Sequence, residues 1–461
     1  MARLKPGEQV ELVIDNLAYG GRGVARRDGL VVMVDGAFPG DHVRARITRV
    51  RRALAEARTE EVLEPGPLRV TPFCVHAGVC GGCRLQAIDY ARQVELKAGQ
   101  VEEALRRIGG FPSPPLEPPI AAIATRYYRN KMEFSFAPGD DGQIQLGLHP
   151  AGDFRRVFAL EWCHLLSERS NAIVAAVIVA ARQSGLPAYD QRLHQGFFRF
   201  LTLREGKHTG QTMVILTTTD GDEETRRFLR RWAADLRERF PEIRSVLRQV
   251  NSRLAGVAAG EYEEVLAGER TIEECLGGFR FEISARAFFQ TNTLQAERLY
   301  DKVLEYAALS GDGVALDLYC GTGTISLLLS RAARRVYGVE SNPDAVANAV
   351  RNARLNGVES CEFVQGEVNE VIERPPLSAV QPEVAVINPP RAGLHPALVR
   401  RLIRVAIPRL VYVSCNPTTL ARDLALLVAG GYRFVRAVPV DMFPHTAHIE
   451  SVALLEQDAA R

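Results

Sequence analysis

Apolar and polar residues alternate through the first sixty positions, in Val10-Glu11-Leu12-Val13-Ile14, Leu30-Val31-Val32-Met33-Val34 and His42-Val43-Arg44-Ala45-Arg46-Ile47, with glycine turns between them. A period of two marks half-buried strands, and short strands at this spacing predict a small closed β-barrel over residues 1–62. Pro65, Gly66, Pro67 and Pro72 predict a linker. From Gln86 to Ile108 the period lengthens. Ile88, Tyr90, Val94, Leu96, Val101, Leu105 and Ile108 fit one helix face, and Gly109, Gly110 and the proline-rich stretch 112–119 stop it. This helix is expected to pack on the C-terminal domain. Residues 120–270 mix strands such as Phe198–Leu203 and Thr212–Leu216 with helices near 165–184 and 222–239, which predicts an α+β middle domain over 63–270.

Beyond residue 285 helix and strand alternate: helix 292–309, strand 313–319, helix 323–333, strand 335–340, helix 343–356, strands 361–365 and 383–388, helix 395–406, strand 409–414 and helix 417–429. Such alternation predicts a mostly parallel, doubly wound Rossmann-like sheet over 271–461. The stretch from Tyr432 to Leu455 reads as an antiparallel edge pair.

A length of 461 residues suits about three domains. No apolar run is long enough for a signal peptide or a membrane span, so a cytoplasmic monomer without membrane contact is expected. Only five of the 57 basic residues are lysine, a skew attributed first to genomic base composition. The net charge of +2 does not advertise a nucleic-acid binder, yet Arg44, Arg46, Arg49, Arg51 and Arg52 crowd one stretch of the barrel. They read either as a phosphate-binding face for RNA or as an ordinary solvated one.

Three strand ends hold candidate chemistry. Val314–Leu318 runs into Cys320-Gly321-Thr322-Gly323-Thr324, whose backbone N–H groups lie beside a helix N-terminus, and Glu340 closes the next strand, where a carboxylate can accept ribose hydroxyls. Ser326 occupies the third glycine position of a dinucleotide fingerprint, so S-adenosylmethionine is the better ligand. Asn388-Pro389-Pro390 is a pattern used to methylate exocyclic amines, but Arg391 follows where an aromatic residue is needed. Cys415, in Leu-Val-Tyr-Val-Ser-Cys-Asn-Pro, sits where a strand breaks into a turn. C5 of uracil is a poor nucleophile, and its methylation needs a soft nucleophile at C6 and a base for the C5 proton. Cys415 and Glu450 supply that pair.

Eight cysteines in a cytosolic chain suggest ligation or catalysis rather than disulfides. Cys74, Cys80 and Cys83 with the remote Cys163 form a tetrathiolate set. Three close ligands and one distant one favour an iron-sulfur cluster over zinc. His76 and His164 are expected outside the ligand set, and Cys275, Cys320 and Cys361 in packing roles.

At these residues the chain resembles the RNA uracil-C5 methyltransferases, in the branch with an N-terminal TRAM barrel, OB-like in shape, and a 4Fe-4S cluster. The likeness rests on Ala18-Tyr19-Gly20-Gly21-Arg22-Gly23-Val24, the four cysteines, Phe288-Phe289-Gln290-Thr291-Asn292, the glycine loop, Ser414-Cys415-Asn416-Pro417 and His445-Thr446-Ala447-His448-Ile449-Glu450. It implies Cys415 as nucleophile and Glu450 as base, with Gln290, Tyr319, Thr324, Glu340, Glu367 and Asn388 contacting S-adenosylmethionine. Barrel plus cluster is more like the large-subunit rRNA enzymes than the bacterial tRNA enzymes, so rRNA is favoured over tRNA. Asn388 departs from the family's Asp, which keeps an acceptor oxygen, adds donors and loses charge. The rival readings are an amine-directed RNA methyltransferase using Asn388 and a non-catalytic RNA-binding protein.

Overall fold

The computed structural model describes residues 4–139, 141–254 and 260–458. Alternation at the N-terminus becomes six strands, β1 (Gln9–Val13), β2 (Asn16–Ala18), β3 (Arg22–Arg27), β4 (Leu30–Asp35), β5 (His42–Val50) and β6 (Leu54–Glu64). They pair in the order β1-β5-β6-β4-β3-β2, curled around Val10, Leu12, Val32, Val34, Val43, Ala45 and Ile47. The sheet closes as expected: β1 pairs with β5 and β2, two residues further along the same segment, pairs with β3, with the Asp15 amide donating to the Val24 carbonyl at 2.8 Å between them.

Helix α1 (Tyr90–Arg107) begins four residues later than its apolar spacing suggested, because the Asp89 carboxylate accepts the Ala91 amide at 3.0 Å and caps it there. Val101, Ala104 and Leu105 are buried in one cluster with residues of the C-terminal sheet. Its buried polar side chains are paired too. Gln100 Nε2 donates to the Leu17 and Ala18 carbonyls at 3.2 and 3.3 Å. Gln93 Oε1 accepts the His445 amide at 2.9 Å, and Lys97 Nζ donates to Asp441 Oδ1 at 2.8 Å and the Phe443 carbonyl at 3.0 Å. Helix α1 is thus a wedge bonded to the barrel on one side and the C-terminal sheet on the other.

The middle region is a seven-stranded sheet of β7 (Lys131–Pro138), β8 (Ile144–Leu148), β9 (Phe158–Ala159), β10 (Phe198–Glu205), β11 (Thr212–Thr218), β12 (Ile243–Val250) and β13 (Tyr262–Gly268), ordered β13-β12-β11-β10-β7-β8-β9. Helices α2 (Glu168–Gln183) and α3 (Glu223–Arg239) pack on it through Ile173, Val177, Leu229 and Trp232. A hairpin, β14 (Ile272–Leu276) and β15 (Phe279–Ile283), leads into the last region.

There the strands are β16 (Val314–Leu318), β17 (Arg335–Glu340), β18 (Cys361–Gln365), β19 (Val384–Ile387), β20 (Arg409–Ser414), β21 (Tyr432–Val440) and β22 (Glu450–Gln457). The helices are α4 (Thr293–Ala307), α5 (Thr324–Leu329), α6 (Pro343–Leu355), α7 (Val368–Val371), α8 (Pro396–Val405) and α9 (Pro417–Ala429). The order β18-β17-β16-β19-β20-β22-β21 is parallel from β18 to β20. Strand order therefore reverses between β16 and β19, and the crevice at their C-terminal ends is where an open α/β sheet binds ligands. The last two strands are antiparallel, with β22 inserted beside β20 and β21 at the edge.

Lys97 and Asp441 are both fully buried. Replacing one partner strands the other charge, so Lys97→Ala should cost about 3–5 kcal/mol in urea unfolding, and Lys97→Ala/Asp441→Asn should recover part of that loss. A single-variant cost near zero would show that the pair does not hold α1 in place.

Candidate active site

The glycine loop after β16 is shaped by backbone conformation. Tyr319, Gly321 and Gly323 have φ of 68°, 55° and 81°. A Cβ on Gly321 would meet nothing within 4 Å, so its face of the loop lies open, whereas a Cβ on Gly323 would meet Ala349 Cβ and the Phe363 ring at 3.0 Å. The loop is therefore pressed onto α6 and β18 at one glycine and free to approach a ligand at the other. Glu340 closes β17 and is oriented by two amides, Gly321 N to Oε2 at 3.1 Å and Asn342 N to Oε1 at 2.9 Å. This open glycine face beside a fixed carboxylate fits the adenosyl part of S-adenosylmethionine.

Burial pushes the Tyr319 hydroxyl up to about 12, helped by the charges of Glu367, Asp423 and Glu340. Glu367 is the residue preceding α7. Thr324 opens α5, and Asn388 follows β19 with its amide donating to the Leu318 carbonyl at 3.2 Å. Gln290 is buried next to Tyr300, a fully buried phenol whose ionisation is opposed by burial and by the charges of Asp317 and Glu450. The anticipated cofactor residues therefore border the C-terminal edge of β16, with Gln290 on the side toward Glu450.

Sequence reading missed Asp317 as part of this site. Its Oδ2 accepts from Ser326 Oγ at 2.6 Å, Oδ1 has no hydrogen-bond partner among the described residues, and burial pushes the acid up to about 7. A lone carboxylate inside the apolar strand Val-Ala-Leu-Asp-Leu was its available signal.

Strand pairing brings Cys415 to Glu450. Ser414 of β20 is registered with Ser451 of β22, so the next residue of one strand meets the preceding residue of the other. Burial pushes Glu450 up to about 8, with Arg391 opposing the shift. The Cys415 thiol is also pushed up, by burial and then by Glu450, and lowered by Arg391 through both its charge and a hydrogen bond. Arg391 is held by its own carbonyl, which accepts from Asn416 Nδ2 at 3.1 Å and Thr419 Oγ1 at 3.4 Å. It is the second residue that sequence reading passed over as a participant. His448 is kept neutral, pushed down to about 4 by burial and then by Arg391. The arrangement offers a soft nucleophile, a buried base and one guanidinium in a single cleft.

Cys74, Cys80, Cys83 and Cys163 line one largely apolar pocket with Leu148, Leu160, Trp162 and Leu165. Burial raises the Cys83 thiol, and the charges of Cys163, Cys80 and Cys74 raise it further. Among the described residues no three His, Cys, Asp or Glu side chains stand close enough to share a single metal ion. His76 borders that pocket, its Nε2 accepting the Glu161 amide at 3.0 Å, and the His164 ring packs edge-on to Phe73. Cys320 is buried, and Cys275 and Cys361 are partly so.

On the barrel, Arg44 pairs with Glu61 and Glu11, Arg46 with Glu60, and Arg51 approaches Glu56 at 4.0 Å. Arg49 and Arg52 make no such pair among the described residues. Cross-strand glutamates neutralise much of this face, which favours the solvated reading for its centre. No described helix is long and apolar enough to cross a membrane.

The model of the tRNA (uracil-5-)-methyltransferase family matches residues 89–458, and that of the TRAM domain residues 3–59. An uncharacterized RNA methyltransferase of Halalkalibacterium halodurans is 37% identical over 99% of this chain and 98% of its own. Another, of Chlorobaculum tepidum, is 38% identical over 99% and 98%. Among solved structures, the Pyrococcus abyssi tRNA (uracil-54, C5)-methyltransferase in complex with S-adenosyl-L-homocysteine superposes with a TM-score of 0.77 at 30% identity, covering 96% of this chain and 99% of that one. With the family match spanning the wedge helix, the middle sheet and the whole cleft, the chain belongs to the tRNA (uracil-5-)-methyltransferase family and carries an N-terminal TRAM domain.

Proposed function

We propose that the protein methylates C5 of a uridine in RNA through a covalent adduct between Cys415 and C6. The observation that carries this reading is the β20–β22 register, which sets Cys415 beside the buried acid Glu450 with Arg391 against both. Cys415 adds as thiolate to C6, and the electron pair displaced toward C5 makes that carbon nucleophilic. S-adenosylmethionine, when bound, supplies the electrophilic methyl group. Glu450 then takes the C5 proton, the C6–S bond breaks and the thiolate is released. Arg391 favours the thiolate and opposes the burial that keeps Glu450 protonated. Gln290, Tyr319, Thr324, Glu340, Glu367 and Asn388 would hold the cofactor, and Asn388 accepts or donates without adding charge.

Cys74, Cys80, Cys83 and Cys163 would hold a 4Fe-4S cluster. Three close cysteines and one remote one, all lining one pocket, are the ground for a cluster over zinc. Methyl transfer from a sulfonium moves no net electrons, so its role is structural. The barrel and these cysteines were the ground for large-subunit rRNA as substrate. A tRNA reading is favoured by the Pyrococcus abyssi enzyme, which acts on tRNA and matches 96% of this chain, hence most of the barrel as well. Nucleoside analysis of 23S-type rRNA and tRNA from cells lacking the protein separates the two, by which pool loses 5-methyluridine.

Cys415→Ala should abolish methyl transfer and covalent capture while cofactor binding persists; retained turnover would overturn the mechanism. Glu450→Gln should lower turnover by about 10²–10⁴-fold and accumulate a methylated adduct that fails to resolve. Wild-type turnover should rise with pH through about 8, as Glu450 becomes the base. Stability runs the other way. The folded protein retains a proton that an unfolded glutamate releases near 4.5, so stability falls as pH rises from there through about 8. Glu450→Gln, which cannot ionise, should therefore melt above wild type at pH 9 but not at pH 4; equal melting at both would place the acid in a solvated setting.

Anaerobically purified protein should contain about four irons per chain. Stoichiometric zinc without iron would overturn the cluster assignment.

A further inference from the structure

The barrel reaches the nucleophile. Tyr19 stands at the tip of the β2–β3 hairpin, and its hydroxyl donates to the Cys415 carbonyl oxygen at 3.0 Å. Its ring packs against the apolar layer shared by α1, α9 and the C-terminal sheet. Burial raises its phenol, and the charges acting on it are those of Cys415, Arg391 and Glu450. Those are the three groups gathered in the cleft.

The hairpin tip is seated rather than loose. Gly20 and Gly21 have φ of 93° and 77°, a region that favours glycine. A Cβ on Gly21 would stand 3.0 Å from Ala447 Cβ and 3.4 Å from Leu85 Cδ2, so the tip lies directly on the segment that leads to Glu450. Behind it, Gln100 holds the Leu17 and Ala18 carbonyls, Arg84 pairs with Asp35, and Leu17 and Phe38 bury with Leu85 and Ile88.

The peptide of Cys415 lies between the last residue of β20 and Asn416, which caps α9 by accepting the Thr418 amide at 3.1 Å. Rotation of that peptide would swing the thiol, and the Tyr19 hydroxyl is a side-chain bond that opposes it from outside the C-terminal domain. We propose that Tyr19 is a positioning residue of the methyl-transfer site: by holding the Cys415 carbonyl it fixes the corner from which the thiol meets uracil, so that the TRAM barrel completes the active centre as well as meeting RNA. The proposal rests on the uracil-C5 reading above.

Deleting the barrel would uncover Leu85 and Ile88, so the test uses Tyr19→Phe, which keeps the ring and removes only the hydroxyl. Wild type and variant in full-length form are mixed with a transcript containing 5-fluorouridine and with S-adenosylmethionine, and adduct formation is followed in a single turnover at saturating RNA. The saturating rate should fall about tenfold, the scale of one lost hydrogen bond, with RNA and cofactor dissociation constants and melting temperature unchanged. The pH profile should keep its shape and lose height, because the hydroxyl acts through the backbone and not as an acid or base. A wild-type saturating rate in Tyr19→Phe would overturn the proposal, as would a defect confined to RNA affinity, which would make Tyr19 an RNA contact. Absence of any adduct with the wild-type protein would instead remove the uracil-C5 reading beneath it.

Discussion

A lysine and an aspartate, both without solvent exposure, meet where the three parts of the chain join. Lys97 comes from α1 and Asp441 from the turn between β21 and β22. Two charges removed from water hold each other in place only when geometry and further hydrogen bonds compensate, and here Phe443 O supplies the further acceptor. The segment that this pair anchors, 441–449, is then fastened at nearly every step. Tyr128 donates to the Pro444 carbonyl at 3.0 Å, Leu85 N to the His445 carbonyl at 2.8 Å, and Ala447 carries the barrel's Gly21. It delivers Glu450 to the cleft, so the position of that carboxyl depends on a joint made outside the C-terminal sheet.

The same segment connects the cysteine pocket to the chemistry. Phe73 precedes Cys74 and packs edge-on to His445 at 5.1 Å, and Tyr128 feels the charges of Cys83 and Asp441 together. Ordering of the 74–85 loop by its thiols would therefore be transmitted to the 441–449 turn by direct packing, with no electron transfer required. That packing would give the proposed cluster a structural role in a methyltransferase.

Much of this architecture is local and was readable from residue pattern. Strands 335–340, 361–365 and 409–414 and helix 417–429 fall where periodicity set them, because each is bounded by a cap or turn within its own segment; Asn416 and Pro417 start the last helix at the expected residue. Cys415 stood out where a strand breaks into an Asn-Pro turn, and Glu450 as a carboxylate at a strand position able to reach the same cleft. What the pattern could not supply is register. Glu56, Glu60 and Glu61 were visible in the sequence, but only the β5–β6 pairing lays them against the arginines. Likewise, Tyr19 and Arg391 join the site through contacts set by domain docking and by the strand switch, and no local spacing encodes either.

The central claim is that this cleft attacks uracil at C6 with one particular sulfur. The most direct measurement is mass spectrometry of the protein trapped on 5-fluorouridine RNA, digested with nuclease and trypsin. Cleavage after Arg409 and Arg422 isolates the peptide Leu410–Arg422, in which Cys415 is the only cysteine. This peptide should carry the mass of a methylated fluorouridine nucleotide, bonded through Cys415. A nucleotide found on another peptide, or a trapped species lacking the methyl group despite bound cofactor, would contradict it.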